Sequence, residues 1–239
     1  MSAKIIVVMS PKGGVGKTTT SVNLATAISE LNKSTLLIDA NLETPHVAIY
    51  YGFVGFKYSL EDVLNGRTEI ENAIYMGDNP KFHILPSRVT RTEESRLPNK
   101  LININRYIEK IEDRYDFIII DSRPSYEINF IKLIKNASSL IVSNPDITSI
   151  IEAKKLKEEL ENANINIIGL VINKVNNRIK DQMTEKETKD LMEIKNVWRI
   201  RDDKKVYNAL KIGVPLVLSS PKSFAAKDIT NLAKQLIKI

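Results

Sequence analysis

Lys17 and Thr18 close a loop built to hold phosphate: Ser10-Pro11-Lys12-Gly13-Gly14-Val15-Gly16-Lys17-Thr18-Thr19-Thr20. The loop follows the apolar run Ile5-Ile6-Val7-Val8-Met9, which reads as a buried strand. It leads into a helical pattern that begins near Thr19. Glycines at 13, 14 and 16 let successive backbone N–H groups turn inward, because without Cβ atoms they tolerate positive φ and close approach. Three of the chain's nine glycines fall within these four positions, more than a plain connector requires. The helix N-terminus adds unpaired N–H groups and the positive end of its dipole. In such a cradle Lys17 would reach the β- and γ-phosphates of a nucleotide, and the Thr18 hydroxyl would ligate Mg²⁺.

The stretch departs from the plain G-x-x-x-x-G-K-[ST] pattern, since Pro11 stands at the first glycine position and a second lysine, Lys12, precedes Lys17 by five residues. Lys-Gly-Gly-Val-Gly-Lys-Thr is the deviant Walker A motif, and on it the chain resembles the MinD/ParA family of ATPases. The resemblance runs over nearly the whole chain. It implies an α/β fold with a doubly wound, mostly parallel β-sheet flanked by helices, and residues 1–239 as one P-loop ATPase domain. It also implies ATP/ADP and Mg²⁺ as ligands. Gly13, Gly14, Val15, Gly16, Lys17, Thr18 and Thr19 would surround the phosphates. Lys12 would be the family's signature lysine, which crosses a dimer interface to the nucleotide held by the other subunit.

Further positions carry the resemblance along the chain. Residues 34–38 form a strand ending at Asp39-Ala40-Asn41, where a parallel strand in an α/β sheet meets its ligand. In the family this is switch I, with Asp39 near the Mg²⁺ shell and a second carboxylate that positions the attacking water. Here that second residue is Asn41. An amide orients a water but cannot accept its proton as a carboxylate does, which predicts slow hydrolysis or help from another group. Tyr115-Asp-Phe-Ile-Ile-Ile-Asp121 has the form of a Walker B element, and Asp121 would hold Mg²⁺ and complete what Thr18 begins. The resemblance therefore implies Lys12, Lys17, Asn41 and Asp121 as catalytic, and Thr18, Asp39 and Asp121 as metal-binding. Ser122-Arg-Pro-Ser125 resembles switch II in the form ParA-like members use, whereas Asn144-Pro145-Asp146 and residues 41–52 resemble MinD-like members; the balance leans to MinD. Asn173, ending the β-rich run from residue 165, would hydrogen-bond adenine, because an amide both donates to and accepts from a purine edge. The loop before residues 203–216 would border the base, and that segment resembles the family's closing helix and strand.

The remaining elements are those that must position these groups. Residues 19–31 place Val22, Leu24, Ala25, Ala27 and Ile28 on one helix face, with Asn32 as the stop. Ser59 caps a short helix with Glu61 and Asp62 in its first turn and Gly66 beyond its end. Residues 70–74, 101–111 and 184–192 read as further helices, 82–86, 140–143 and 197–200 as strands. The helix after Asp146 is expected to start beyond Thr148 or Ser149. His46 and His83 read as structural residues, and residues 88–99 as a polar loop.

The chain has 239 residues, 43% of them hydrophobic, enough for a sizeable core. No run approaches the roughly 18 to 20 apolar residues of a membrane span, and the short N-terminal apolar run has no signal-peptide form, so a cytoplasmic protein is expected. The absence of cysteine excludes disulfides, thiolate metal sites and an iron–sulfur carrier. Residues 1–120 hold 14 basic and 14 acidic side chains, so the net charge of +6 lies in the second half. Many of those lysines alternate with glutamates on helices, where i,i+4 pairing accounts for them.

At the C-terminus Ala225, Ile229, Leu232, Ala233, Leu236 and Ile237 recur at helical spacing, with Lys227, Lys234 and Lys238 on the other side. The pattern suits a helix packed on its own sheet, and also a membrane-surface helix. Packing is preferred, because the chain ends before the membrane-targeting extension of bacterial MinD proteins. ParA-like members bind DNA non-specifically, and Arg199, Arg201, Lys204, Lys205, Lys211 and Lys222 are the residues here that would do so. The reading that results is an ATP-dependent switch that dimerises with ATP, works with a protein activator or cargo, and positions division machinery, DNA or other cargo. Peripheral contact with nucleoid or membrane is a further expectation. The rival reading is an ATP-binding scaffold that barely hydrolyses because of Asn41. A metabolic ligase or kinase finds no substrate domain in the chain.

Overall fold

Short runs of β-branched residues without a polar face are satisfied only between two layers. The computed structural model, which describes every residue except 1, 54, 89–99, 125–127, 177 and 180, places them there. The strands are β1 (Lys4–Met9), β2 (Thr35–Asp39), β3 (Tyr75–Met76), β4 (Phe82–Leu85), β5 (Phe117–Asp121), β6 (Ser138–Ser143), β7 (Asn166–Val175) and β8 (Val197–Arg201). They form one sheet in the order β3-β4-β2-β5-β1-β6-β7-β8, parallel throughout except for β3 against β4.

Alternation along β1 divides the core in two. Ile5, Val7 and Met9 enter one apolar cluster with α3 (Leu60–Leu64), α4 (Ile104–Glu109), α5 (Ile128–Lys132), α6 (Ile147–Asn162) and α7 (Glu185–Met192). Ile6 and Val8 enter the other, with α1 (Lys17–Glu30), α2 (Val47–Tyr50), α8 (Lys205–Ile212), α9 (Leu216–Ser219) and α10 (Phe224–Leu236). The first turn of α1 is threonine-rich and a poor helix former by propensity. Leu24 and Ile28 are fully buried, and each such side chain contributes about 1.5–3 kcal/mol, so packing holds the helix.

β1 lies between β5 and β6, the point from which successive connections leave in opposite directions and where α/β sheets open a crevice at the strands' C-terminal edge. The glycine loop after β1, Asp39 at the end of β2 and Asp121 at the end of β5 all open there. Asp39 and Asp121 are direct neighbours in the parallel register.

Several boundaries differ from expectation. α1 begins at Lys17, two residues early, because Gly16 in the left-handed region serves as its N-cap. α6 begins at Ile147, since the Asp146 carboxylate caps it through the Ser149 N–H, 2.9 Å away. Residues 70–73 form a 3₁₀ turn, and the expected helix over 101–111 is a 3₁₀ turn at Lys100–Asn103 followed by α4. β7 runs on to Val175, with a bulge that leaves Lys174 at φ 57°. After α8 there is no closing strand but α9: Pro215 has no N–H to give a ladder and sits as the N-cap, and the Val217 N–H is taken by Asn23 Oδ1 at 3.1 Å. The apolar face of α10 is buried on its own domain core, with Ala225, Ile229, Leu232, Ala233 and Leu236 at or below 1% exposure.

Candidate functional site

α1 differs from the chain's other two long helices. α6 is capped by Asp146 and α10 by Ser223, whereas α1 has no side-chain cap and no acidic residue in its first turn. Its N-terminus therefore retains its positive end for an outside anion. The loop before it is held open from below. Asn173 Nδ2 donates to the Val15 carbonyl at 2.8 Å, and Lys174 Nζ donates to the Gly14 carbonyl at 2.6 Å. Gly16 has φ 91°, and a Cβ there would run into the Asn173 amide. Gly14, at φ 75°, has nothing near its would-be Cβ.

Asp121 is the hub of the site and has no exposed surface. Its Oδ1 accepts from Lys17 Nζ at 3.2 Å and Ser21 Oγ at 2.9 Å, and its Oδ2 accepts from Thr18 Oγ1 at 2.6 Å. Lys17 Nζ also donates to the Ser122 carbonyl. One carboxylate thus gathers the lysine and hydroxyl of the phosphate loop. Ser21 was not foreseen, although it stands four residues after Lys17 and so on the same helix face.

Asp39 is equally buried. Its carboxylate accepts backbone N–H bonds from Asn41 (3.1 Å), His46 (3.1 Å) and Val47 (3.0 Å), and so caps α2. Burial, and then the charge of Asp121, hold its carboxyl well above the usual carboxylate range despite those donors and Lys17. Two carboxylates and a hydroxyl make a set of hard oxygen donors of the type that Mg²⁺ takes together with a substrate's phosphates. His46 contributes only its backbone and is exposed at its side chain, as a structural residue should be.

Asn41 is on the same loop but faces elsewhere. Its Nδ2 donates to the Thr44 carbonyl at 2.8 Å and to Thr44 Oγ1 at 3.0 Å, and its Oδ1 accepts from the Thr44 N–H at 3.3 Å. Its amide is committed to shaping the loop rather than to the Lys17–Asp121 cluster. Lys12 also lies apart, 3.1 Å from Glu152 on α6. Arg123 bridges to Glu43 at 2.7 Å, tying the loop after β5 to the loop after β2. Ser125, read as a ParA-like position, is outside the described residues, as are residues 89–99 of the polar loop.

Beyond Thr19 the crevice widens into an open cleft of about 450 Å³, lined by Thr19, Asn173, Ile200, Asp203, Val206 and Tyr207 among others. Its placement beside the phosphate loop suits a nucleoside. Asp203 joins two elements here, accepting from the N–H groups of Lys205 at 3.0 Å and Ala225 at 3.3 Å. Of the basic residues proposed to meet DNA, Arg201 is bound at both ends of its fork to Asp228 (2.8 and 2.6 Å) and lies over the Phe224 ring. Arg199 is half-buried on β8, whereas Lys204, Lys205, Lys211 and Lys222 are exposed. No helix among the described residues is long and apolar enough to cross a membrane.

Residues 3–181 match the family model described as an AAA domain. An uncharacterized ATP-binding protein of Methanocaldococcus jannaschii is 32% identical over 99% of this chain and 89% of its own length. The cell division ATPase MinD of Pyrococcus furiosus superposes with a TM-score of 0.89 at 29% identity, over 99% of each chain. The septum site-determining protein MinD of Pyrococcus horikoshii, solved with Mg-ADP, superposes with a TM-score of 0.88 at 28% identity, over 98% of this chain and 96% of its own.

Proposed function

Because the chain belongs to the MinD/ParA family of P-loop ATPases, we propose that it is a nucleotide-driven switch: it binds ATP with Mg²⁺, pairs with a second copy, and hydrolyses the nucleotide to part again. The observation that carries this reading is the convergence of Lys17, Thr18 and Ser21 on Asp121 beneath an uncapped helix N-terminus.

Bound Mg-ATP would supply the transferable phosphoryl group and part of the charge neutralisation. The chain's residues do the rest. The N–H groups of Gly13, Gly14, Val15 and Gly16 and the first turn of α1 hold the phosphates. Lys17 adds a positive charge where negative charge develops, in a site from which Asp121 and Asp39 are already shut off from water. Thr18, Asp39 and Asp121 hold the cation, directly or through water. Asn173 and the cleft wall take the base. Lys12 leaves Glu152 for the partner copy's nucleotide when two copies meet. Asn41 has no proton-accepting oxygen of carboxylate strength, so turnover is slow and rises with a protein activator. The switch then places division machinery, DNA or another cargo, from the cytoplasm or peripherally at nucleoid or membrane.

Titration of the chain with a fluorescent ADP, with and without Mg²⁺, and phosphate release from ATP test the reading together. Saturable binding and turnover that both disappear in Lys17→Ala are expected. A folded chain that binds no nucleotide overturns it.

A further inference from the structure

α1 is lined with hydroxyls, and nearly all of their protons have a recognisable destination. Thr18 donates to Asp121, Thr20 to the Gly16 carbonyl at 2.9 Å, Ser21 to Asp121 and the Lys17 carbonyl, Thr26 to the Val22 carbonyl at 2.8 Å, and Ser29 to the Thr26 carbonyl at 2.8 Å. The Thr19 hydroxyl alone has another hydroxyl, that of Tyr50 at the end of α2, as its sole partner among the described residues. Two hydroxyls carry two protons, and one bond between them uses one. The other has no acceptor among the described residues.

The neighbouring tyrosine shows what a closed arrangement looks like. Tyr51 is bonded to Thr26, and Thr26 passes its own proton to Val22. In that pair both protons are placed. Thr19 has no such outlet among the described residues: Val15, four residues before it, precedes the N-cap Gly16 and so lies outside α1. The surplus proton also lies in a telling place. Lys17 and Thr18 turn to Asp121, whereas Thr19, one residue on, lines the cleft with Asn173 and Tyr207. Thr19 therefore sits between the outer-phosphate end and the nucleoside end.

We propose that Tyr50 is a positioning residue for the nucleotide: its phenol donates to Thr19 Oγ1, and Thr19 in turn gives its proton to a non-bridging oxygen of the phosphate next to the ribose. This rests on the nucleotide reading of the same site. Burial and the nearby charge of Asp121 push the Tyr50 phenol up, so it stays a protonated donor at neutral pH. A donor already accepting a hydrogen bond is polarised and fixed in one rotamer, which strengthens the bond it makes to an anion. The same bond makes α2 part of the site. α2 is capped by Asp39 at one end and meets Thr19 through Tyr50 at the other, so both ends of the helix touch groups that face the nucleotide.

The test is affinity for ADP and for the two diastereomers of ADP carrying sulfur on the phosphate next to the ribose, measured on the full chain. The wild type should distinguish the diastereomers. Tyr50→Phe should weaken ADP binding about three- to tenfold and erase that distinction. Thr19→Val should do at least as much, and the double variant should lose little beyond Thr19→Val alone. Tyr51→Phe, whose hydroxyl serves only Thr26, should bind like the wild type. Wild-type affinity and diastereomer preference in Tyr50→Phe overturn the proposal, as does an equal loss on adding Tyr50→Phe to Thr19→Val. Should Tyr50→Phe fold poorly, a Thr19→Val variant that still prefers one diastereomer overturns it equally. Failure of the wild type to bind ADP would instead reject the nucleotide reading.

Discussion

Lys12 Nζ lies 3.1 Å from Glu152 Oε2, and both side chains are substantially exposed, at 40% and 33%. An ion pair so open to solvent is worth no more than about 1 kcal/mol. Lys12 is thus parked on α6 rather than locked there, and a phosphate group in a drier setting outcompetes a solvated carboxylate. Lys12→Ala is expected to abolish ATP-dependent dimerisation, read by light scattering. Glu152→Gln should lower the ATP concentration at half-dimerisation by up to about fivefold. Unchanged monomer–dimer behaviour in Lys12→Ala would sink the crossing-lysine mechanism.

Asn41 offers a sharper probe of turnover. Its Nδ2 bonds to the Thr44 carbonyl and hydroxyl hold the loop after β2 in shape. In Asn41→Asp the donor to that carbonyl becomes a second carboxylate oxygen facing it, while the first oxygen still accepts from the Thr44 N–H. The carboxylate would then be a proton acceptor on the loop that carries Asp39. Phosphate release should rise by about tenfold or more, while urea unfolding should show a loss of about 1–3 kcal/mol from the broken loop bonds and a second buried acid. Slower turnover in the variant would mean that Asn41's amide geometry, not its lack of basicity, is what the site uses.

His83 gives the fold a pH dependence remote from the site. On β4 its ring meets the edge of Tyr115, with centroids 5.6 Å apart, and its Nδ1 is buried without a hydrogen-bond partner. Burial, and then the charge of Arg114, push its pKa below the ordinary 6.5. The unfolded chain therefore binds a proton at a higher pH than the folded chain does. Stability contributed by the neutral ring is complete above 6.5 and is lost as pH falls towards the folded value. Urea midpoints measured between pH 7.5 and 5 should fall more steeply for the wild type than for His83→Phe, which retains the ring but not the titration. Parallel slopes would show that another group sets this dependence.

What could be read beforehand was what is encoded locally. The β-branched runs ending at Asp39 and Asp121 declare buried parallel strands with carboxylates at the crevice, and glycines before Lys17-Thr18 declare the phosphate loop; both depend on neighbours in sequence. Tyr50 on Thr19, Glu152 under Lys12 and Asn173 beneath Val15 are meetings across 31 to 158 positions, and no spacing rule reports them. The closing strand that the resemblance implies within residues 203–216 is absent for a related reason. Pro215 has no N–H to give a ladder, and Asn23 on α1 claims the Val217 N–H that one would need. Subgroup signals at Ser125 and Asn144-Pro145-Asp146 conflicted because each is a loop preference, free to vary on a common sheet.

The brace beneath the phosphate loop makes two neighbouring glycines unequal. Gly14 and Gly16 both adopt positive φ, so alanine at either position carries the left-handed penalty of about 1–2 kcal/mol. At Gly14 the added methyl meets open space. At Gly16 it collides with the Asn173 amide, whose bond to the Val15 carbonyl must then break, and a lost buried hydrogen bond costs about 1–3 kcal/mol more. Gly16→Ala should therefore destabilise the chain beyond Gly14→Ala by about that second amount in urea unfolding. Truncating the obstacle should restore part of it: Asn173→Ala combined with Gly16→Ala should be more stable than the sum of the two single losses, since the clash exists only when both groups are present. Strict additivity would mean that the loop yields and Asn173 is not what makes glycine necessary at position 16.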